Sequence, residues 1–254
     1  MIIELIKACF FGIVEGITEW LPISSTGHMI ILNDFIKLGV SEEFYELFEV
    51  VIQLGAIMAV VVMYFKVIFP WGFGKRKIET RETFNLWFKI IIACLPAAVV
   101  GILFDDWLDE HLYNSIVVSL MLIIYGIIFI VIENKKIGED NVNSLNEITY
   151  KQALGVGCFQ LLSLIPGTSR SGATIIGGLL IGLKRSIAAE FTFFLAIPVM
   201  FGASLLKLVK YVVDVGFVFN SEELLILLTG SVVAFCVSIL IIKFLINYIR
   251  KHDF

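Results

Sequence analysis

The hydrophobic residues of this chain gather into long unbroken stretches. Five of them, at about 47–65, 86–104, 115–132, 190–213 and 224–248, reach the ~20 apolar residues a helix needs to cross a bilayer. Each is predicted to be a spanning helix. Residues 1–46 and 152–189 are apolar in a different way, as short pieces interrupted by Gly, Pro and Ser. In the second region the pieces are 152–165 and 173–183, too short to span. Both regions are predicted to be re-entrant helix pairs that dip into the membrane and return.

The polar segments between the stretches fall into two classes. Residues 66–85 carry Lys66, Lys75, Arg76, Lys77 and Arg81, residues 133–151 carry Lys135, Lys136 and Lys151, and the tail carries Arg250 and Lys251. "DDWLDEHLYN" (105–114) and "DVGFVFNSEE" (214–223) have acids and no Lys or Arg. Lys and Arg counts set orientation, so the basic loops and tail are expected in the cytoplasm and the acidic loops outside. The five spans then alternate only if residues 1–46 end outside and residues 152–189 start and end inside. The two re-entrant regions enter from opposite sides.

They also resemble each other. "FGIVEG…ISSTGH" (11–28) aligns with "VGCFQL…TSRSGA" (156–173) at an offset of 145. Gly12 meets Gly157, Glu15 meets Gln160, and Ser24-Ser25-Thr26-Gly27 meets Ser169-Arg170-Ser171-Gly172. Pro22 and Pro166 mark the breaks, one residue out of register. The expected fold is therefore an all-α polytopic membrane protein, an inverted-topology repeat with about five spanning helices plus two re-entrant pairs. It forms one integral membrane domain over 1–254. Repeat one covers about 1–132, a cytoplasmic linker covers 133–151, and repeat two covers about 150–248. In such folds the site lies at the repeat interface and is built from broken helices.

Composition fits this class. Of 254 residues 59% are hydrophobic and only 17% charged, where a soluble domain has about 45–50% and about 25%. The net charge of −4 is too small to imply nucleic-acid binding. Cys9, Cys94, Cys158 and Cys236 stand singly in apolar segments, without metal or redox spacing, and read as small core residues. "MIIELIKACFF" has no basic n-region and no cleavage pattern, so no removable signal peptide is expected.

The chemistry lies in the broken regions. "PGTSRSG" (166–172) places an arginine, hydroxyls and glycines at membrane depth, where an unpaired arginine is costly. A break before a new helix leaves N–H groups unpaired at the positive end of the helix dipole. Gly167 and Gly172 permit tight turns and close approach to a ligand. Thr168, Ser169 and Ser171 add hydroxyls, and Arg170 adds a planar fork of donors suited to phosphate. Together they read as an anion nest. The plainer reading pairs Arg170 with a buried glutamate and uses the serines as caps, and the two are compatible.

In "VEGITEWLPISSTGH" (14–28), Glu15 and Glu19 are four apart and share a helix face. Inside an apolar segment such a pair calls for a shared proton, a divalent cation or a nearby arginine. Ser24, Ser25 and Thr26 supply nucleophile or donor candidates. His28 lies in an apolar segment, whereas His111 and His252 lie in a loop and the tail. Its place after the serine pair reads as a catalytic base or nucleophile. Glu46 and Glu49, with Gln53 one turn on, are candidates for lining the same cavity, although helix-start acids commonly serve only the dipole. Glu190 reads as structural or supporting, and "GKRK" (74–77) as an orientation signal with some affinity for anionic lipid.

This set suits phosphoryl transfer on a substrate that arrives through lipid. A transporter or lipid flippase is the competing reading, since inverted repeats with broken helices are typical of transporters. His28 and the serine pair exceed what anion binding requires and favour the enzyme. A purely structural protein gives no reason for so many intramembrane polar groups.

"EGITEWLPISSTGHMIIL" and "PGTSRSGATIIGGLLIG" resemble the two signature motifs of the undecaprenyl pyrophosphate phosphatase family (the BacA/UppP type). "FEVVIQLGAIMAVVV" and "AAEFTFFLAIPVMFGAS" are similar to that family as well. The resemblance covers nearly the whole chain. It implies removal of the terminal phosphate of undecaprenyl diphosphate, a role in cell-wall synthesis, and bacitracin resistance. It also implies a divalent cation, Mg2+ or Ca2+, and a multi-pass protein of the bacterial plasma membrane with its site opening outward. The partners it implies are a polyprenyl diphosphate substrate and membrane lipid, with homodimerisation left open. Position by position it carries catalytic roles to Glu15, Glu19, Ser24, Ser25, His28 and Arg170, with Glu15 and Glu19 as metal ligands or proton carriers. Thr26, Gln160, Gly167, Thr168, Ser169, Ser171 and Gly172 complete a substrate pocket. Whether serine or histidine attacks phosphorus stays open; the chemistry favours His28 as base or nucleophile, with Ser25 close to the phosphate. Members of this family usually continue past the point matching "NYIRKHDF" through one more hydrophobic span.

Overall fold

A computed structural model describes residues 1–70, 80–112, 114–134, 142–216 and 220–251. The basic residues Lys75, Arg76, Lys77, Lys135 and Lys136 lie outside them. The described residues are helical almost throughout, and the elements in chain order are α1 (Ile2–Thr18), α2 (Ser25–Phe35), α3 (Glu42–Met63), α4 (Phe65–Ile68), α5 (Thr80–Leu112), α6 (Ser115–Asn134), α7 (Tyr150–Gln160), α8 (Arg170–Leu180), α9 (Arg185–Asp214) and α10 (Ser221–Lys251). Short 3-10 turns precede and follow α7.

Each of the five expected spans is a helix. Four of them, α3, α5, α9 and α10, contain segments long and apolar enough to cross a membrane. The fifth, α6, is apolar from Ile116 to Ile132, which meets the lower limit of about 17 residues. The chain is an all-α polytopic membrane protein. Large side chains such as Ile102, Ile123, Leu205 and Leu240 stand exposed on these helices, as a lipid-facing surface requires.

The two broken pairs are α1–α2 and α7–α8. With 11 residues each, α2, α7 and α8 rise about 16 Å, half a bilayer core of ~30 Å. The breaks have local causes. Ile165, which precedes Pro166, is extended at φ −85° and ψ 119°, because a residue before proline is disfavoured in the helical region. Gly167 then takes φ +87°, open to glycine and costly for other residues.

Contacts between the two halves are exchanged. Helix α1 packs on α10 and its counterpart α7 packs on α5, while α3 and α9 pack on each other. The closest approaches sit at matching positions. A Cβ on Gly12 would lie 2.5 Å from the Gly230 carbonyl oxygen of α10, and one on Gly157 would lie 2.4 Å from the Ala93 carbonyl oxygen of α5. Gly157→Ala is therefore expected to destabilise the fold by about 1–3 kcal/mol, the usual cost of overpacking. An unchanged unfolding midpoint in detergent would contradict that packing.

Between these contacts lies an aromatic core. Trp20 meets Phe193 edge to face at 5.3 Å, and Tyr64 meets Phe194 at 5.0 Å. Phe11, Phe44, Phe48 and Phe191 are fully buried around them. Through Trp20 this core holds the first break against α9.

Candidate active site

The site begins at the first turns of α2 and α8. Ser24 caps α2 by accepting from the Gly27 N–H at 3.3 Å, and Ser169 caps α8 by accepting from the Gly172 N–H at 3.1 Å. Both members of each pair are related by the offset of 145. The earlier N–H groups of each first turn, on Ser25, Thr26, Arg170 and Ser171, have no intrahelical acceptor and carry the positive end of the dipole. The caps differ in one respect. Ser169 is extended at φ −63°, whereas Ser24 is forced to φ 66° and ψ 97°, a strained state for a residue with a Cβ.

The Ser24 carbonyl accepts from the His28 backbone N–H at 3.3 Å and meets His28 Nδ1 at 2.8 Å. A carbonyl only accepts, so Nδ1 carries the proton. The neutral ring then keeps its free lone pair on Nε2. His28 is half-buried.

Glu19, at the end of α1, ties the two breaks together. Its Oε1 accepts from Arg170 Nη2 at 2.7 Å, and its Oε2 accepts from the Ser25 hydroxyl at 2.5 Å. The Ser171 hydroxyl shares a hydrogen bond of 3.0 Å with Ser169 and reaches the Leu21 carbonyl at 3.2 Å. Arg170 Nη1 also donates to the Thr192 carbonyl of α9 at 3.3 Å. The ion-pair side chains are 12% and 6% exposed, so these bonds must offset the desolvation of two charges. The pairing of Arg170 with a buried glutamate and the capping serines are both present, in the same place as the expected anion nest.

One turn before Glu19, Glu15 is fully buried, and no hydrogen-bond donor reaches either carboxylate oxygen, with the Glu19 carboxylate as its near neighbour. The charges of Glu19, Glu49 and Arg170 all act on it. Glu49 Oε1 is also buried without a partner. At the matching position of the second repeat, Gln160 is fully buried with both amide atoms unpartnered. Unpaired buried polar groups cost about 1–3 kcal/mol each, and in native proteins they commonly mark a missing ion, water or ligand. Carboxylate oxygens free of other partners suit a hard divalent cation. Mg2+ is typically held by one or two carboxylates, with waters and substrate phosphates completing its shell. Among the described residues no cluster of three or more His, Cys, Asp or Glu could hold a metal by itself. Glu19 is the poorer donor of the expected pair, since both its oxygens are already engaged.

Three expectations change. Glu46 does not line the interior: its side chain is 61% exposed and pairs with Lys207 of α9 at 3.0 Å. Gly167 makes its close approach to protein. A Cβ there would lie 2.5 Å from the Val118 carbonyl oxygen of α6. A Cβ on Gly172 would lie 3.1 Å from the Phe129 ring, so α6 occupies the space both glycines leave. Thr26 is half-buried. Thr192 also meets Arg170, although its single hydroxyl amid "FTFF" gives no signal in the sequence.

The comparisons agree with the motifs. The chain matches the family described as "Bacitracin resistance protein BacA" over residues 8–254. It is 59% identical over 255 residues to a protein of Enterococcus faecalis named undecaprenyl-diphosphatase, with 99% of this chain and 91% of the relative covered. A protein of the same name from Acetivibrio thermocellus is 58% identical, covering 99% and 92%. Another from Streptococcus thermophilus is 56% identical, covering 100% and 88%.

Proposed function

The chain belongs to the BacA family, and we propose that it removes the terminal phosphate of undecaprenyl diphosphate to leave undecaprenyl phosphate. The observation that carries this reading is the convergence of two helix N-termini on the Glu19–Arg170 pair, beside buried polar groups with no partner of their own. An anionic head group entering there meets donors already in place, and its charge offsets the cost of burying Arg170.

The residues divide the work as follows. Arg170 has five N–H donors, and two are used by Glu19 and Thr192. The remainder, with the free N–H groups of α2 and α8, bind the terminal phosphate. Ser25 donates its hydroxyl hydrogen bond to Glu19, which leaves its oxygen lone pairs for phosphorus. Attack forms the Ser25 O–P bond and breaks the bond to the bridging oxygen. Undecaprenyl phosphate leaves, and the Ser25 proton passes to Glu19. Arg170 is then shared between Glu19 and the phosphate. Water then attacks the phosphoserine, forming its own O–P bond as the Ser25 O–P bond breaks. His28 Nε2 takes the water proton and passes it to solvent, Ser25 recovers its own from Glu19, and inorganic phosphate leaves. Ser24 orients His28 through its carbonyl.

A divalent cation, Mg2+ or Ca2+, belongs to this reading, with Glu15 as its main protein ligand and Glu49 beside it. When bound, it neutralises the diphosphate oxygens. Chelation is expected to stop phosphate release from undecaprenyl diphosphate by the purified protein, and added Mg2+ or Ca2+ to restore it. Glu15→Gln should raise the metal concentration for half-maximal rate about 10- to 100-fold, the scale of lost ligand support. Release that ignores a chelator would overturn the metal assignment. The site opens to the outer face, so in sealed right-side-out vesicles externally added substrate should be hydrolysed without permeabilisation. Hydrolysis only after permeabilisation would reverse the orientation.

A further inference from the structure

Thr192 sits two turns into α9, fully buried between Phe191 and Phe193, which are also fully buried. Valine would fill the same volume there without a polar atom. A lone hydroxyl in such a helix ordinarily satisfies itself on its own preceding turn. This one leaves its helix. It donates to Thr174 Oγ1 of α8 at 2.9 Å, and Thr174 in turn donates to the Arg170 carbonyl at 2.8 Å. The Thr192 carbonyl meanwhile accepts from the Arg170 guanidinium at 3.3 Å. A single residue of α9 therefore grips Arg170 at both ends, its main chain through a hydroxyl relay and its charged head directly.

We propose that Thr192 is a positioning residue for Arg170, fixing the first turn of α8 so that guanidinium and free N–H groups address the same phosphate. The proposal rests on the assignment of Arg170 to phosphate binding. Both hydroxyls are fully buried, and consecutive hydrogen bonds in a dry interior strengthen one another. Without the relay, α8 keeps its cap on Ser169 and its packing on α9, but its first-turn backbone loses the hydrogen-bonded link to that helix. The guanidinium is then held only at its tip.

The test compares Thr192→Val, Thr192→Ser and Arg170→Ala with wild type, following phosphate release from undecaprenyl diphosphate and its inhibition by inorganic phosphate. A displacement of about 1 Å at a reacting centre can cost ~100-fold, so Thr192→Val should lose about tenfold or more in kcat/KM. Its inhibition by inorganic phosphate should weaken in step, while Thr192→Ser stays within about threefold of wild type. Thr174→Val should match Thr192→Val, and the double variant should be no worse than either, because both cut one chain. This second variant carries the test if Thr192→Val does not fold. Wild-type kinetics in both valine variants beside an impaired Arg170→Ala would overturn the role of Thr192 alone. A serine variant as impaired as the valine would also overturn it. Near-normal turnover by Arg170→Ala would overturn the phosphate assignment and the positioning role with it.

Discussion

Arg170→Ala is expected to lower the rate of phosphate release by about 10³-fold or more, the scale set by arginines that stabilise a transferring phosphoryl group. The loss has two sources. The guanidinium donors to phosphate disappear, and Glu19 loses the partner that holds it at 2.7 Å. The second effect reaches stability too, because removing one member of a buried pair costs about 3–5 kcal/mol through the charge left behind. The two effects separate when the double variant Arg170→Ala with Glu19→Gln is set beside each single variant. The double variant should regain much of the thermal stability and none of the activity. Activity recovering together with stability would mean that Arg170 serves the fold and not the phosphate.

His28→Ala is expected to reduce turnover by about 10²- to 10⁴-fold, the usual contribution of a positioned acid–base group. It should do so by stalling one half of the reaction. With Ser25 paired to Glu19 and only Nδ1 of His28 engaged in the wild type, the variant can still accept phosphate but cannot activate the water that removes it. Incubation with undecaprenyl diphosphate should therefore load an acid-stable phosphoserine at Ser25, visible by mass spectrometry and absent from Ser25→Ala. An acid-labile phosphoenzyme in the wild type, lost in His28→Ala, would make the histidine the nucleophile instead.

Much of this arrangement is legible in the chain itself, for identifiable reasons. The spans are legible because a bilayer demands unbroken apolar length, and "GTSRSG" stands out because polar residues at that depth are costly. The repeat is visible because Ser24 and Ser169 cap matching helices and Gly12 and Gly157 permit matching approaches. What escapes is whatever depends on a neighbour distant in sequence. Gly167 looks like a ligand-binding glycine until α6 is seen to press Val118 against it. Glu46 and Glu49 lie within one turn of each other, and only the position of Lys207 shows that Glu46 turns outward. Thr192 belongs to an apolar span and resembles a neutral filler, since its two partners lie on α8. The pairing of Ser25 with Glu19 required the turn between them to be folded, because a separation of six follows no helical spacing.

The central claim is that the joined helix N-termini form a hydrolytic site and not a binding site for an anion in transit. Detergent solution separates these most directly, because it removes the two compartments that transport needs. Purified protein in detergent, given undecaprenyl diphosphate with Mg2+ or Ca2+, should release inorganic phosphate and undecaprenyl phosphate in equal amounts over many turnovers. Folded protein that binds the diphosphate and releases neither product would contradict the account and return the site to a carrier.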